Sequence, residues 1–245
     1  MLGRFLNVFK EIVNFIFKPF GTFHNLPDYE AYWQLKSTSL KANFYQRDRF
    51  LLAKKFLESG STVLDVGCGT CWFGGEAQKL GLDLNYIGVD SNPMPPDSFL
   101  CSANSKTTIL TESIIPPFEC LDKFTGASKV VLAFEVVEHF LEAEKLVLKL
   151  LEITDQVVLF SVPNSAYLPY RIRLGLLGRF PKQWRVWPGE HARFWSLIDL
   201  RDWLSYLVSG RAEVSVVGYG GIPGLQNVFP NLFSAGAFVV LTKIT

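Results

Sequence analysis

Short apolar runs alternate with amphipathic stretches along most of the chain. Four of these runs cover residues 63–66, 84–89, 130–134 and 157–162, and a weaker one lies near Ile109. Runs of this length, bounded by glycine, proline and polar residues, are typical of parallel strands that are covered on both faces. Two further strands are predicted over 213–219 and 237–244. The pattern therefore predicts an α/β protein of the Rossmann-like type, with helices on both faces of a mostly parallel sheet.

Between the strands, apolar residues recur at helical spacing. Helices are predicted over 40–58, 73–80, 141–153 and 198–208. Ser196 is a suitable N-cap for the last helix, and Gly210 follows its end.

An additional amphipathic helix is predicted over residues 2–18, where apolar residues recur at i, i+3, i+4 and i+7. Its polar side carries Arg4, Lys10 and Lys18 against the single acid Glu11. The helix can pack on the rest of the protein, lie on a membrane surface or bind a partner. A stretch of about 18 uncharged apolar residues is missing from the sequence, so no transmembrane helix is expected.

The first predicted strand runs directly into a glycine-rich turn, in the sequence Val-Leu-Asp-Val-Gly-Cys-Gly over 63–69. Gly67 and Gly69 lack a Cβ atom, so a ligand can lie against bare backbone amides there. Asp65 stands just before the turn, and Asp90 ends the next strand. Ligands of open α/β sheets bind beyond the carboxyl ends of the strands. Two acids at that edge suit a ligand with a cationic amine and a ribose diol, as in S-adenosylmethionine.

A dinucleotide-binding site is the main rival for the glycine-rich turn. That motif reads G-x-G-x-x-G, but Trp72 stands where the third glycine belongs. Asp65 also suits an ammonium group better than a pyrophosphate. A nicotinamide-dependent reductase is therefore disfavoured.

The chain resembles the class I S-adenosylmethionine-dependent methyltransferases. More narrowly, it resembles the branch that contains the ubiquinone-biosynthesis O-methyltransferases and the methionine-biosynthesis-associated methyltransferases. The matching segments are 63–69, 87–90, Phe134-Glu-Val-Val-Glu-His139, 161–164 and Glu190-His-Ala-Arg-Phe194. The resemblance covers about residues 28–245, so residues 1–27 are expected to hold the added helix and a linker. It implies seven strands, the last of them antiparallel, and S-adenosylmethionine as the cofactor.

The resemblance also implies the cofactor contacts. The family's contacts map onto Asp65, Gly67, Gly69 and Asp90, and the candidates are completed by neighbouring residues: Cys68, Ser91, Phe134 and Glu135. Family members usually carry an acid after the third strand, near the adenine amino group. Here Thr111 or Glu112 must take that place, or neither does.

Residues 165–188 combine cations with aromatic side chains and contain no acid. Such a segment suits an anionic or lipid-like acceptor, a membrane surface or single-stranded nucleic acid, and the plain alternative is a lid that packs its aromatic residues. Candidate acceptor-binding residues are Arg171, Arg173, Trp187 and, beyond the segment, Arg193. The formal net charge of +1 argues against a general nucleic-acid binder.

Methyl transfer needs a base only when the acceptor atom carries a proton. His139 and His191 are the candidate bases, while His24 lies outside the family-like region. The four cysteines indicate reduced thiols in a cytoplasmic protein, and Cys68 and Cys71 lack the further ligands of a zinc site, so no metal is expected.

The sequence thus predicts methyl transfer from S-adenosylmethionine to a small anionic or lipid-like acceptor, with an oxygen acceptor by family analogy. The predicted partner is a small molecule, with a peripheral membrane contact through residues 1–20 and 165–188. A non-catalytic accessory protein that keeps the fold is the alternative.

Overall fold

The computed structural model describes residues 6, 9–10, 12–13, 16–17, 44–91, 106–180 and 191–244. Within these residues seven strands form one sheet: β1 (Thr62–Val66), β2 (Asn85–Asp90), β3 (Thr107–Thr111), β4 (Ser128–Phe134), β5 (Thr154–Pro163), β6 (Ala212–Tyr219) and β7 (Gly236–Lys243). Their order is β3-β2-β1-β4-β5-β7-β6. Strand β7 runs antiparallel to β5 and β6, and the pairs among β1 to β5 are parallel. The predicted fold class is confirmed, including the weak third strand and the antiparallel last one.

Helices cover both faces of the sheet. The longer ones are α1 (Phe44–Ala53), α2 (Trp72–Lys79), α3 (Ala143–Ile153), α4 (Leu168–Leu177) and α5 (Leu197–Leu207). Two short helices, α6 (Leu225–Val228) and α7 (Pro230–Phe233), lie between β6 and β7. Neighbouring residues of β1 show the two layers, because Val63 packs with α1 and α2 whereas Leu64 packs with α3 and α5. This alternation explains why the strands read as continuous apolar runs.

Most predicted helices lie within a few residues of their observed bounds. Ser196 caps α5 as predicted: its hydroxyl accepts from the Asp199 amide, and the Asp199 side chain accepts from the Ser196 amide. Helix α4 was not predicted, since its segment reads as a basic insertion; it ends at Gly178, whose φ is +59°. Residues 40–43 of the first predicted helix lie outside the described residues.

The described residues among 6–17 are all helical, in agreement with the predicted N-terminal helix. Ile16 is buried, and its carbonyl accepts a 2.9 Å hydrogen bond from Arg173 Nη1 of α4. Phe9 and Phe17, by contrast, are 56% and 65% exposed. The helix therefore touches the basic segment while part of its apolar surface stays open. Among the described residues, no helix has the length and apolar character needed to cross a membrane.

Candidate functional site

The turn after β1 lies against the carboxyl end of β2. The Gly67 amide donates to the Val89 carbonyl at 2.7 Å, and the Gly69 amide donates to Asp90 Oδ2 at 2.9 Å. Gly67 has a φ of +73°, and a Cβ atom there would lie 2.4 Å from Val136 Cγ2. Glycine is thus required at this position, and the turn after β1 touches the turn after β4.

Asp65 lies beneath this turn. Its side chain is buried and accepts a 2.5 Å hydrogen bond from the Tyr86 hydroxyl. Burial raises the pKa of Asp65 to about 7; the Tyr86 hydrogen bond opposes this rise, Asp90 adds to it and Arg49 also opposes it. A cation that binds near a buried carboxyl with such a pKa lowers that pKa and favours loss of the proton.

Glu135 directly follows β4, and its backbone lies in the left-handed region, with a φ of +58°. Its Oε1 accepts from Ser161 Oγ at 2.8 Å and from the Tyr219 hydroxyl at 2.9 Å, and lies 3.3 Å from Arg49 Nη1. Burial alone would raise the pKa of Glu135, but Arg49, the two hydroxyls and His191 lower it below its usual value. Strained backbone that is held by its surroundings is common at functional sites, so this carboxylate is a candidate functional group.

The two histidines meet beside that carboxylate. His139 ends a short 3₁₀ helix, Val137–His139, that follows β4, and its ring centroid lies 4.8 Å from that of His191. The amides of Ala192 and Arg193 both donate to the Glu138 carbonyl, at 2.8 and 3.1 Å. These bonds hold the His191 loop against the 3₁₀ helix, and so the two candidate bases share one site.

The candidate adenine contacts lie at the edge formed by β2 and β3. Thr111 pairs in register with Asp90 and is exposed. The Glu112 side chain pairs with Lys123, and Ser91 Oγ accepts from the Ile114 amide at 3.0 Å. Thr111 is therefore the more accessible of the two candidate residues.

Phe134 and Cys68 differ from the other candidates because their side chains are in the core. Phe134 packs against Trp72, Phe73 and Phe238. Cys68 Sγ lies 3.6 Å from Cys71 Sγ, and both residues are buried.

The candidate acceptor-binding arginines have separate surroundings. Arg173 is fully buried and donates to the carbonyls of Ile16 and Phe180, so it links α4 to the N-terminal helix. This differs from the prediction that it binds the acceptor, because a guanidinium used in this way does not reach the surface. Arg171 is exposed and donates to the Ala166 carbonyl at 2.6 Å. Arg193 binds the Leu141 carbonyl and Glu144, and Trp187 lies outside the described residues.

Sequence reasoning missed the residues that hold the acids in place: Tyr86, Arg49, Ser161 and Tyr219. Tyr86 and Ser161 lie in apolar strand runs, and their hydroxyl groups are the only sequence feature that could have pointed to a polar role. Arg49 is far from Glu135 in sequence, and nothing in its local pattern points to that partner.

The residues present fit S-adenosylmethionine. A Gly67 without a side chain leaves the turn bare, and the carboxylates of Asp90 and Glu135 flank the same edge as the Asp65 carboxyl. These carboxylates accept hydrogen bonds and attract cations, so they suit a ligand with hydroxyls and positive charge.

Comparison with known proteins identifies the family. A sequence profile described as a methyltransferase domain matches residues 40–206, which is more than half of the chain. No curated protein matches the sequence.

Solved methyltransferase structures share the fold. An S-adenosylmethionine-dependent methyltransferase from Archaeoglobus fulgidus is 16% identical, with a TM-score of 0.54, and the match covers 89% of this chain and 100% of that one. The magnesium protoporphyrin IX methyltransferase of Synechocystis is 14% identical, with a TM-score of 0.52 and coverage of 89% and 95%. A TehB-like methyltransferase from Corynebacterium glutamicum is 13% identical, with a TM-score of 0.53 and coverage of 89% and 97%. With the profile match and the glycine-rich turn, these findings establish that the chain belongs to the class I S-adenosylmethionine-dependent methyltransferases.

Proposed function

We propose that this protein transfers the methyl group of S-adenosylmethionine to an oxygen atom of a small acceptor that is anionic or lipid-like. The observation that carries the proposal is the close approach of the Val136 side chain to Gly67, because it brings the glycine-rich turn next to the segment with His139. S-adenosylmethionine supplies an activated methyl group, so the protein has to orient the two reactants and exclude water.

The turn and the strand ends would hold the cofactor. Asp90, whose Oδ2 accepts from the Gly69 amide, would accept hydrogen bonds from the ribose hydroxyls. Asp65 and Glu135 would favour the positive charge of the methionine portion. Ser91 and either Thr111 or Glu112 would border the adenine, and Phe134 would support the turn from the core.

An oxygen acceptor requires a place for its proton. His139 and His191 lie together beside the cofactor turn, so either imidazole is suited to take a hydroxyl proton as the methyl group moves. The resemblance to the ubiquinone-biosynthesis O-methyltransferases, through the Phe134–His139 and Glu190–Phe194 motifs, also supports oxygen.

Helix α4 and its surroundings support the proposed acceptor class. Arg171 is exposed, as are Leu174, Leu176 and Phe180. This mixture suits an acceptor with an anionic group and an apolar portion, or one presented at the cytoplasmic surface of a membrane. Arg193, which holds the His191 loop, and Trp187 are the further acceptor-binding residues of this proposal.

The alternative is a non-catalytic accessory protein, which the methionine-biosynthesis-associated relatives keep open. Calorimetry with S-adenosylmethionine, S-adenosylhomocysteine and NADH tests the cofactor, and we expect binding of the first two only. Transfer of a labelled methyl group to a panel of phenols, with and without a carboxylate and with and without an alkyl tail, tests the acceptor. Cofactor binding without transfer to any member would favour the accessory role, and transfer only to amines would contradict the oxygen acceptor.

A further inference from the structure

Three metal-binding side chains converge where the turn after β4 meets the His191 loop. The coordinating atoms of Glu138, His139 and His191 all lie within 4.8 Å of one another. We propose that these three residues bind one divalent transition-metal ion. The sequence offered no complete metal site around its cysteines; these ligands come instead from two separate histidine motifs that the fold brings together.

The backbone fixes the relative position of the three ligands. Glu138 and His139 are neighbours in one 3₁₀ helix, and the amides that follow His191 donate to the Glu138 carbonyl at 2.8 and 3.1 Å. The two imidazole rings are nearly perpendicular, at 84°. Ligand atoms around a tetrahedral Zn²⁺ at 2.0–2.2 Å are roughly 3.4 Å apart. The three ligand atoms, which lie within 4.8 Å of one another, are therefore already close to that spacing.

The charges at this place favour a cation. The Glu138 residue is only 1% exposed, and taking a carboxylate out of water costs free energy that a bound cation recovers. Glu135 adds a second negative charge nearby, since it interacts electrostatically with His191.

The ligand types indicate which metal fits. Two imidazoles and one carboxylate are the ligands of zinc hydrolases and of non-haem iron sites, whereas Mg²⁺ prefers oxygen ligands alone. We therefore expect Mn²⁺ and Zn²⁺ to bind and Mg²⁺ to bind at least about ten-fold more weakly.

The ion would change how the acceptor is activated, and this part of the inference rests on the proposed methyl transfer. An imidazole that binds a metal ion has no lone pair left to act as a base. The ion, which lowers the pKa of a hydroxyl that it contacts, would then take over the activation of the acceptor. Metal binding itself is measured without any acceptor, so it can fail while methyl transfer is retained, and the reverse also holds.

Mn²⁺ is the preferred probe because it binds thiolates weakly, so Cys68 and Cys71 do not compete for it. Electron paramagnetic resonance of the full chain, first treated with chelator, gives the amount of bound Mn²⁺. We expect one ion per chain, at least about ten-fold weaker binding in His191→Ala and Glu138→Gln, and wild-type binding in His24→Ala. Zn²⁺ should also raise the melting temperature of the wild-type protein and not that of the two site variants.

Far-ultraviolet circular dichroism establishes whether each variant is folded. If Glu138→Gln does not fold, His139→Asn takes its place as the second site variant. The proposal is overturned if the wild-type protein binds no Mn²⁺ at a defined stoichiometry. It is also overturned if folded site variants bind Mn²⁺ as the wild type does, or if Mg²⁺ binds as tightly as Mn²⁺.

Discussion

The Tyr86 hydroxyl donates a 2.5 Å hydrogen bond to the Asp65 carboxylate beneath the glycine-rich turn. The two residues come from neighbouring parallel strands, with Tyr86 near the start of β2 and Asp65 near the end of β1. Their contact keeps a buried acid in place at the edge where the cofactor is proposed to bind. It also leaves that acid ready to change its protonation state, because burial outweighs the hydrogen bond and raises its pKa to about 7.

The first prediction is that S-adenosylmethionine binding releases protons near neutral pH. A pKa of about 7 leaves Asp65 partly protonated in the free protein, and a cationic ligand lowers that pKa. Affinity should therefore fall as the pH drops below 7, since binding must then remove the proton. Calorimetry near pH 6.5, in buffers with different ionisation enthalpies, gives the proton count. Asp65→Asn should abolish the release; an unchanged release would assign the proton to another group.

The second prediction concerns Asp90. Replacement by alanine should weaken S-adenosylmethionine binding by about 1.5–3 kcal/mol, because a charged acceptor of hydroxyl hydrogen bonds is lost. Asp83→Ala is the matched control: Asp83 lies just before the same strand and pairs with Lys106 at the opposite end. Calorimetry should find the control unchanged. Equal loss in both variants would place the ribose elsewhere.

The third prediction compares two glycines with similar backbone angles. Gly67 and Gly81 have φ values of +73° and +68°, but only at Gly67 does a Cβ atom meet a close neighbour, Val136 Cγ2 at 2.4 Å. Alanine at either site costs about 1–2 kcal/mol in backbone strain, and at Gly67 overpacking adds about 1–3 kcal/mol. Denaturant unfolding measures both variants, and calorimetry should find cofactor binding weakened only in Gly67→Ala. Normal binding by that variant would argue against the turn as the cofactor site.

The fourth prediction concerns the ion pair of Arg49 and Glu135. Arg49→Met removes the charge but keeps much of the side chain, so it should lower the free energy of unfolding by roughly 3 kcal/mol. Arg47→Met, on the exposed side of α1, should change it by less than about 0.5 kcal/mol. A double-mutant cycle with Glu135→Gln isolates the coupling. A coupling near zero would show that Ser161 and Tyr219 hold Glu135 without Arg49.

The sequence predicted the parts of the fold that depend on local pattern. The strand that ends at Val66, the turn with Gly67 and the cap at Ser196 follow from apolar runs, glycine and capping chemistry. It could not predict the Arg49–Glu135 pair, since that contact depends on how α1 packs over the sheet. Helix α4 was missed for a related reason: Arg173 reads as a surface charge, but its partners are backbone carbonyls that only the fold supplies.

The last prediction concerns membrane docking. The N-terminal helix and α4 are joined through Ile16 and Arg173, and beside this junction Phe9, Phe17 and Leu176 are 56%, 65% and 79% exposed. Exposed apolar side chains next to cations suit an anionic lipid surface, where apolar insertion and charge attraction act together.

We therefore expect the full chain to float with vesicles of phosphatidylserine and phosphatidylcholine at low salt. Binding should fall as salt rises and be absent with phosphatidylcholine alone, because screening and loss of the anionic lipid remove the charge attraction. Phe9→Ser combined with Phe17→Ser should weaken flotation without lowering the melting temperature, since neither side chain is buried. Val217→Ser is the control, because Val217 is an apolar residue of β6 that is 40% exposed and lies outside this junction. If the wild-type protein ignores anionic vesicles at low salt, the membrane contact is wrong. If the double variant floats normally, a lipid contact does exist but the N-terminal helix does not make it.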